Sequence, residues 1–195
     1  MHHPFMAAVA DEGALHGFAT LRYEFPYMEK RGRRPDPPGL CHATVAAAVA
    51  CARQLFPSTP LFAGGKSFGG RMTSQAQAAA PLPGVRGIFF LGFPLHRPNE
   101  PSTARAQHLF KIEIPLLFLQ GTRDAFAEPG LLQPLIEKLG ATATLALFEE
   151  ADHSFHVPAR TGRTDAQVLA QMVKALAAWT VSMGGAGDGR PLPGQ

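Results

Sequence analysis

A three-layer αβα sandwich around a mostly parallel sheet of about five strands is the fold class the sequence predicts. Three observations predict it. Short apolar runs recur at regular intervals, helix-like segments separate most of them, and a serine framed by glycines directly follows one of the runs. The 195 residues, 46% hydrophobic and 17% charged, suffice for one domain with a substantial core.

The elements follow in chain order. "HPFMAAVADEGALH" (3–16) places Phe5, Met6, Val9 and Ala10 on one helical face. "FATLRYEF" (18–25) reads as the first strand. "CHATVAAAVACARQLF" (41–56) is an alanine-rich helix after Pro37-Pro38-Gly39. "PLFAG" (60–64) is the second strand, and "SFGGRMTSQAQAAA" (67–80) is a helix directly behind it. "VRGIFFLG" (85–92) and "IPLLFLQG" (114–121) are strands, with an irregular segment between them that holds a short helix near 101–110. "PGLLQPLIEKLG" (129–140) is a helix closed by glycine, and "ATLALFEE" (143–150) is the last strand. "DAQVLAQMVKALAAWTVSM" (165–183) repeats Val168, Leu169, Met172, Leu176 and Trp179 at helical spacing behind Asp165. The domain therefore spans 1–183. The remainder, "GGAGDGRPLPGQ" (184–195), has nothing to bury and is expected to be a disordered tail.

Charge and cysteines narrow the function classes. The net charge is only +3, and much of it lies in "EKRGRRP" (29–35). That run carries no interleaved aromatics and reads as a solvated loop, which argues against nucleic-acid binding through Arg31, Arg33 and Arg34. Cys41 and Cys51 fall ten apart on one helix, about 15 Å, too far for a disulfide. Free thiols, with no apolar run of membrane-spanning length and no leader, lead to a cytoplasmic expectation. No Cys/His cluster has metal-ligand spacing, so no cofactor is expected.

"AGGKSFGG" (63–70) carries the chemistry. A phosphate-binding loop would need glycine five residues before Gly65, where Pro60 stands, and a loop where the apolar strand lies. Gly65-Lys66-Ser67-Phe68-Gly69 is instead G-x-S-x-G between a strand and a small-residue helix, the context of a nucleophile elbow. There Ser67 sits in a strained turn at a helix N-terminus, with glycines on either side to relieve collisions. A serine needs a base oriented by an acid. Asp124 in "GTRDAF" and His153 in "ADHSF" follow in the order Ser, Asp, His, each just past a strand end. Asp152 adjoins His153, where side chains seldom meet, so Asp124 is preferred. His156 is the alternative base. Lys66 and Arg71 flank the nucleophile, and either suits an anionic substrate group; bracing a loop is the equal alternative for Arg71.

Together "HPFM", "RYEFPYMEKRGRRPDPP", "GGKSFGGRM", "GTRDAF" and "ADHSF" resemble the bacterial α/β-hydrolases related to dienelactone hydrolase. That branch shares a domain with a eukaryotic chromatin-complex subunit and a testis-expressed protein. The resemblance covers about residues 3–183. It implies an α/β-hydrolase fold, with Ser67, Asp124 and His153 as triad and the Phe68 N–H in the oxyanion hole. It also implies a strand and a His-Gly-x-Gly-like loop ahead of "HPFM", supplying the second oxyanion donor. The chain as given opens at Met1-His2-His3-Pro4, so an N-terminally shortened fold with impaired catalysis is expected. The expected function is hydrolysis of an ester, thioester or lactone of a small molecule. The alternative is a non-catalytic interaction module that kept the fold, although a scaffold has no need of all three triad residues at strand ends.

Overall fold

The computed structural model describes residues 3–184, and its sheet is built from four strands. These are β1 (Leu61–Lys66), β2 (Val85–Leu91), β3 (Leu116–Gly121) and β4 (Ala143–Phe148). They lie side by side in the order β1-β2-β3-β4, and every pairing is parallel. Between and around them run α1 (Pro4–Leu15), α2 (Pro26–Glu29), α3 (Pro38–Leu55), α4 (Phe68–Ala79), α5 (Pro129–Leu139) and α6 (Asp165–Gly184). Pro4, Pro26, Pro38 and Pro129 each open a helix, where a missing N–H removes no hydrogen bond. The irregular segment before β3 holds a 3-10 helix at Ala104–Lys111.

Period-two alternation along the strands divides the core. Ile88, Phe90, Leu116 and Phe118 face a cluster with Val45 and Val49 of α3, Met72 and Ala76 of α4, and Leu132 and Leu135 of α5. On the other face Leu91, Leu117 and Leu119 pack with Val9 of α1 and Val168, Met172, Val173, Leu176 and Trp179 of α6. Both faces are thus covered, which is why the strands read as nearly unbroken apolar runs. The predicted α/β fold with its three layers is present.

One predicted element differs. Residues 18–25 carry no regular secondary structure and join no ladder, so the sheet has four strands rather than about five. Propensity makes a segment extended, but only a neighbour makes it a strand, and among the described residues β1 pairs with β2 alone. The segment is held by its aromatics instead. Phe25 is buried, and its ring packs edge-on against Phe68 at 5.6 Å. The last helix runs through Gly184, one residue into the predicted tail; residues 185–195 lie outside the described residues.

The turn after β1 reveals which glycine is sterically required. A Cβ on Gly65 would sit 3.2–3.3 Å from backbone atoms of Gly69 and Gly70, whereas one on Gly69 would meet nothing within 4 Å. A Cβ on Gly70 would lie 2.6 Å from Gly65 O and 3.1 Å from the Phe90 ring. The crowding is therefore between strand and helix, and Gly70, outside the motif, bears the tightest contact. Gly70→Ala is expected to destabilise the protein by about 1–3 kcal/mol or more. Gly69→Ala is expected to be neutral or to stabilise by about 0.5–1 kcal/mol through helix propensity. Urea unfolding of the two variants checks this, and equal midpoints would overturn it.

Candidate active site

Ser67 occupies a backbone conformation that few side chains adopt. Its φ is +50° and its ψ is −115°, the turn that joins β1 to α4. The Ser67 N–H donates to Leu91 O at 3.1 Å, so β2 fixes the strained residue in place. Phe68 is the first residue of α4, where N–H groups have no intrahelical acceptor.

Asp124 follows β3 and is 2% exposed. Its Oδ1 accepts from the Phe126 N–H at 2.8 Å, and its Oδ2 accepts from the Gln120 side-chain amide. Gln120 is fully buried, and its own carbonyl oxygen accepts from Phe93 N–H at 2.8 Å. It thereby ties the Asp124 carboxylate to the end of β2. Sequence reasoning passed over Gln120. The signal was a lone amide in the apolar run "LLFLQG", which has to find partners once buried.

His153 lies in the loop after β4. Its Nδ1 is 2.7 Å from Asp124 Oδ2 and its Nε2 is 2.8 Å from Ser67 Oγ. A carboxylate can only accept, so Nδ1 carries the proton and Nε2 faces the serine hydroxyl as acceptor. The ring is wedged between Phe126, at 4.4 Å between centroids, and Gly92, where an added Cβ would lie 3.3 Å from Nδ1. The loop crosses the end of β3 at Gly121, and a Cβ there would be 2.2 Å from Ala151 O. The structure thus brings Ser67, Asp124 and His153 into one hydrogen-bonded row at the carboxyl ends of β1, β3 and β4.

The alternatives are occupied elsewhere. The Asp152 carboxylate accepts from the N–H groups of Ser154 and His156 at 2.7 and 3.0 Å, shaping the loop rather than meeting the imidazole. His156 is exposed and bonds Asp165 through Nδ1 at 2.9 Å. That hydrogen bond raises the His156 pKa and lowers that of Asp165.

The basic flanking residues point to different neighbours. Lys66 Nζ donates to His153 O at 3.1 Å and lies 4.3 Å from the Phe5 ring centroid. It links α1 and β1 to the histidine loop. Burial holds its pKa below the ordinary value, opposed by the carboxylates of Asp152 and Asp124. Arg71 lies on the other side, with its guanidinium carbon 5.5 Å from the Phe68 ring centroid.

Beside Arg71 the fully buried Ser74 hydroxyl donates to Arg71 O at 3.0 Å, and its oxygen is 2.7 Å from His108 Nε2. Burial first, then the Arg71 charge, pushes the His108 pKa down to about 4. The unfolded chain, with an ordinary value of 6.5, therefore takes up this proton before the folded one does. His108 should weaken the fold as pH falls from 6.5 toward 4, and contribute no pH dependence above that window. Unfolding measured across pH should lose part of its acid slope in His108→Gln, and an unchanged slope would refute the assignment.

Among the described residues no group of three or more His, Cys, Asp or Glu side chains is placed to hold a metal, and no helix is long and apolar enough to cross a membrane. Cys41 is buried and Cys51 exposed, both as free thiols.

A family model described as an alpha/beta hydrolase domain matches residues 1–181. Solved structures share the fold. An alpha-beta serine hydrolase homologue from Coxiella burnetii superposes with a TM-score of 0.70 at 18% identity, covering 90% of this chain and 77% of that one. A serine hydrolase without lid from Xanthomonas campestris gives 0.68 at 20% identity, with 92% and 75% covered. An esterase domain from Rhodothermus marinus gives 0.64 at 16% identity, with 90% and 78% covered.

Proposed function

The chain belongs to the alpha/beta hydrolase domain family, and on that premise we propose that it is a serine hydrolase cleaving an ester-type bond of a small molecule. The observation that carries the reading is the row Ser67 Oγ, His153 Nε2, His153 Nδ1, Asp124 Oδ2, with contacts of 2.8 and 2.7 Å. Three residues far apart in sequence meet at hydrogen-bond distance, on strained or buried backbone that the fold holds fixed.

In this reading Ser67 Oγ attacks the substrate carbonyl carbon and its proton passes to His153 Nε2. The oxygen that gains charge is received by the Phe68 N–H and by the positive end of α4. When the tetrahedral centre collapses, the bond to the alcohol or thiol breaks and His153 returns the proton to that leaving group. Water then repeats the sequence on the acyl-enzyme and releases the acid. Asp124 holds the imidazole tautomer and offsets its transient charge, and it stays ionised throughout. Gln120 and the Phe126 N–H keep its oxygens aimed. Lys66 holds the His153 backbone against the nucleophile turn.

Kinship with the dienelactone hydrolase-related branch, one domain over residues 1–183 and a cytoplasmic site of action are parts of the same proposal. The "RYEFPYMEKRGRRPDPP" and "GGKSFGGRM" segments support the first, and the free thiols fit the last. A fluorophosphonate probe tests the central claim. It should label Ser67, the label should disappear in Ser67→Ala, and His153→Ala should slow it. Labelling that persists in Ser67→Ala would place the nucleophile elsewhere.

A further inference from the structure

The half-buried guanidinium of Arg71 has no role in the steps above, and its surroundings leave its charge unanswered. Arg71 stands four residues after Ser67, in the first turn of α4, and its backbone N–H donates to Ser67 O at 3.1 Å. Its Nε is buried and has no hydrogen-bond partner. Among the described residues no carboxylate pairs with it, and after burial the guanidinium of Arg105 does most to lower its pKa. Arg105 is likewise unneutralised, since its Nη1 donates to the carbonyls of Pro94 and His96 at 3.4 and 3.1 Å. The face of the Phe68 ring, 5.5 Å away, offers Arg71 a platform but no counter-charge. Two cations without an acid, beside a nucleophile, make a site that lacks an anion.

We propose that Arg71 is the anion-binding residue of the substrate site, and that the ester-type substrate carries a carboxylate held against this guanidinium while its carbonyl lies at Ser67. The proposal rests on Ser67 as nucleophile and adds the substrate's charge. The spacing limits the substrate. Phe68, next to Ser67 in the chain, has its ring 5.5 Å from the Arg71 guanidinium carbon, so a carboxylate held there belongs to a small substrate. The rest of the neighbourhood fits. His108, Ser74's partner, is held neutral next to Arg71, so it neither supplies the missing negative charge nor competes for it. Lys66, the other basic flank, is committed to His153 O and the Phe5 ring, which leaves Arg71 as the cation with free donors.

The test compares 4-nitrophenyl hemisuccinate with 4-nitrophenyl valerate, an anionic and a neutral ester of similar length, at low salt. The full chain should favour the hemisuccinate in kcat/KM. Arg71→Met should lower the hemisuccinate-to-valerate ratio tenfold or more, and Arg71→Lys should retain much of it. A purely structural role for Arg71 would depress both esters together, so an unchanged ratio in Arg71→Met overturns the proposal while leaving the hydrolase reading intact. If neither ester is turned over, calorimetry of Ser67→Ala with succinate decides. Binding that weakens at least tenfold in Ser67→Ala/Arg71→Met supports the anion site without the hydrolase, and succinate binding that is absent or indifferent to Arg71 overturns it.

Discussion

Replacing Ser67 with alanine should reduce kcat/KM toward small activated esters by a factor on the order of 10⁴ to 10⁶. The size follows from how the row is built. In the proposed mechanism the hydroxyl oxygen is the atom that forms the new bond, and among the described residues no other hydroxyl is hydrogen-bonded to His153 Nε2. Asp124→Asn should cost on the order of 10⁴, because an amide in place of the carboxylate can present N–H to Nδ1 and turn the imidazole the wrong way round. The two losses should not multiply in the double variant, since all three side chains act as one unit. Stopped-flow or progress-curve kinetics on purified variants measures both. A Ser67→Ala protein within tenfold of the parent would remove the nucleophile from the mechanism.

Gly121→Ala should damage fold and site together. The added methyl would lie 2.2 Å from Ala151 O, 2.7 Å from Ala151 C and 2.8 Å from Asp152 O, all backbone atoms. The loop cannot yield by a rotamer change. It is also docked by backbone bonds from Arg123 N to Ala151 O and from Thr122 N to Phe148 O. A shift large enough to admit the methyl carries His153 away from Asp124 and Ser67. The expected cost is about 1–3 kcal/mol or more in stability and about a hundredfold in rate, the penalty for misplacing a reacting group by about 1 Å. Urea unfolding and kcat on the same preparation test it. A variant with parental stability and parental kcat would show that the loop does not rely on this close approach.

The parts of this protein visible in its sequence were those decided locally. Ser67, Asp124 and His153 could be placed at strand ends because each follows an apolar run that both faces of the sheet then bury. The run at 18–25 had the same local character but joins no ladder, because strand pairing depends on a neighbour that local pattern does not specify. The glycine that admits α4 against β1 was misjudged for a related reason. The motif points to Gly65 and Gly69, while the close contact is a tertiary one between Gly70 and Gly65 O. Gln120 and Lys66 were opaque as supports because their partners, Phe93 and Asp124 for one and His153 for the other, meet them only after the chain folds back.

The side-by-side strand order has a consequence for biosynthesis. Each new strand joins the edge left by the one before it, so the sheet can grow as the polypeptide leaves the ribosome, with no strand waiting to be inserted. The serine emerges early and the imidazole last, 86 positions later. On the proposed mechanism a nascent chain therefore exposes an inert hydroxyl throughout elongation, and reactivity would switch on only when translation has delivered β4 and its loop.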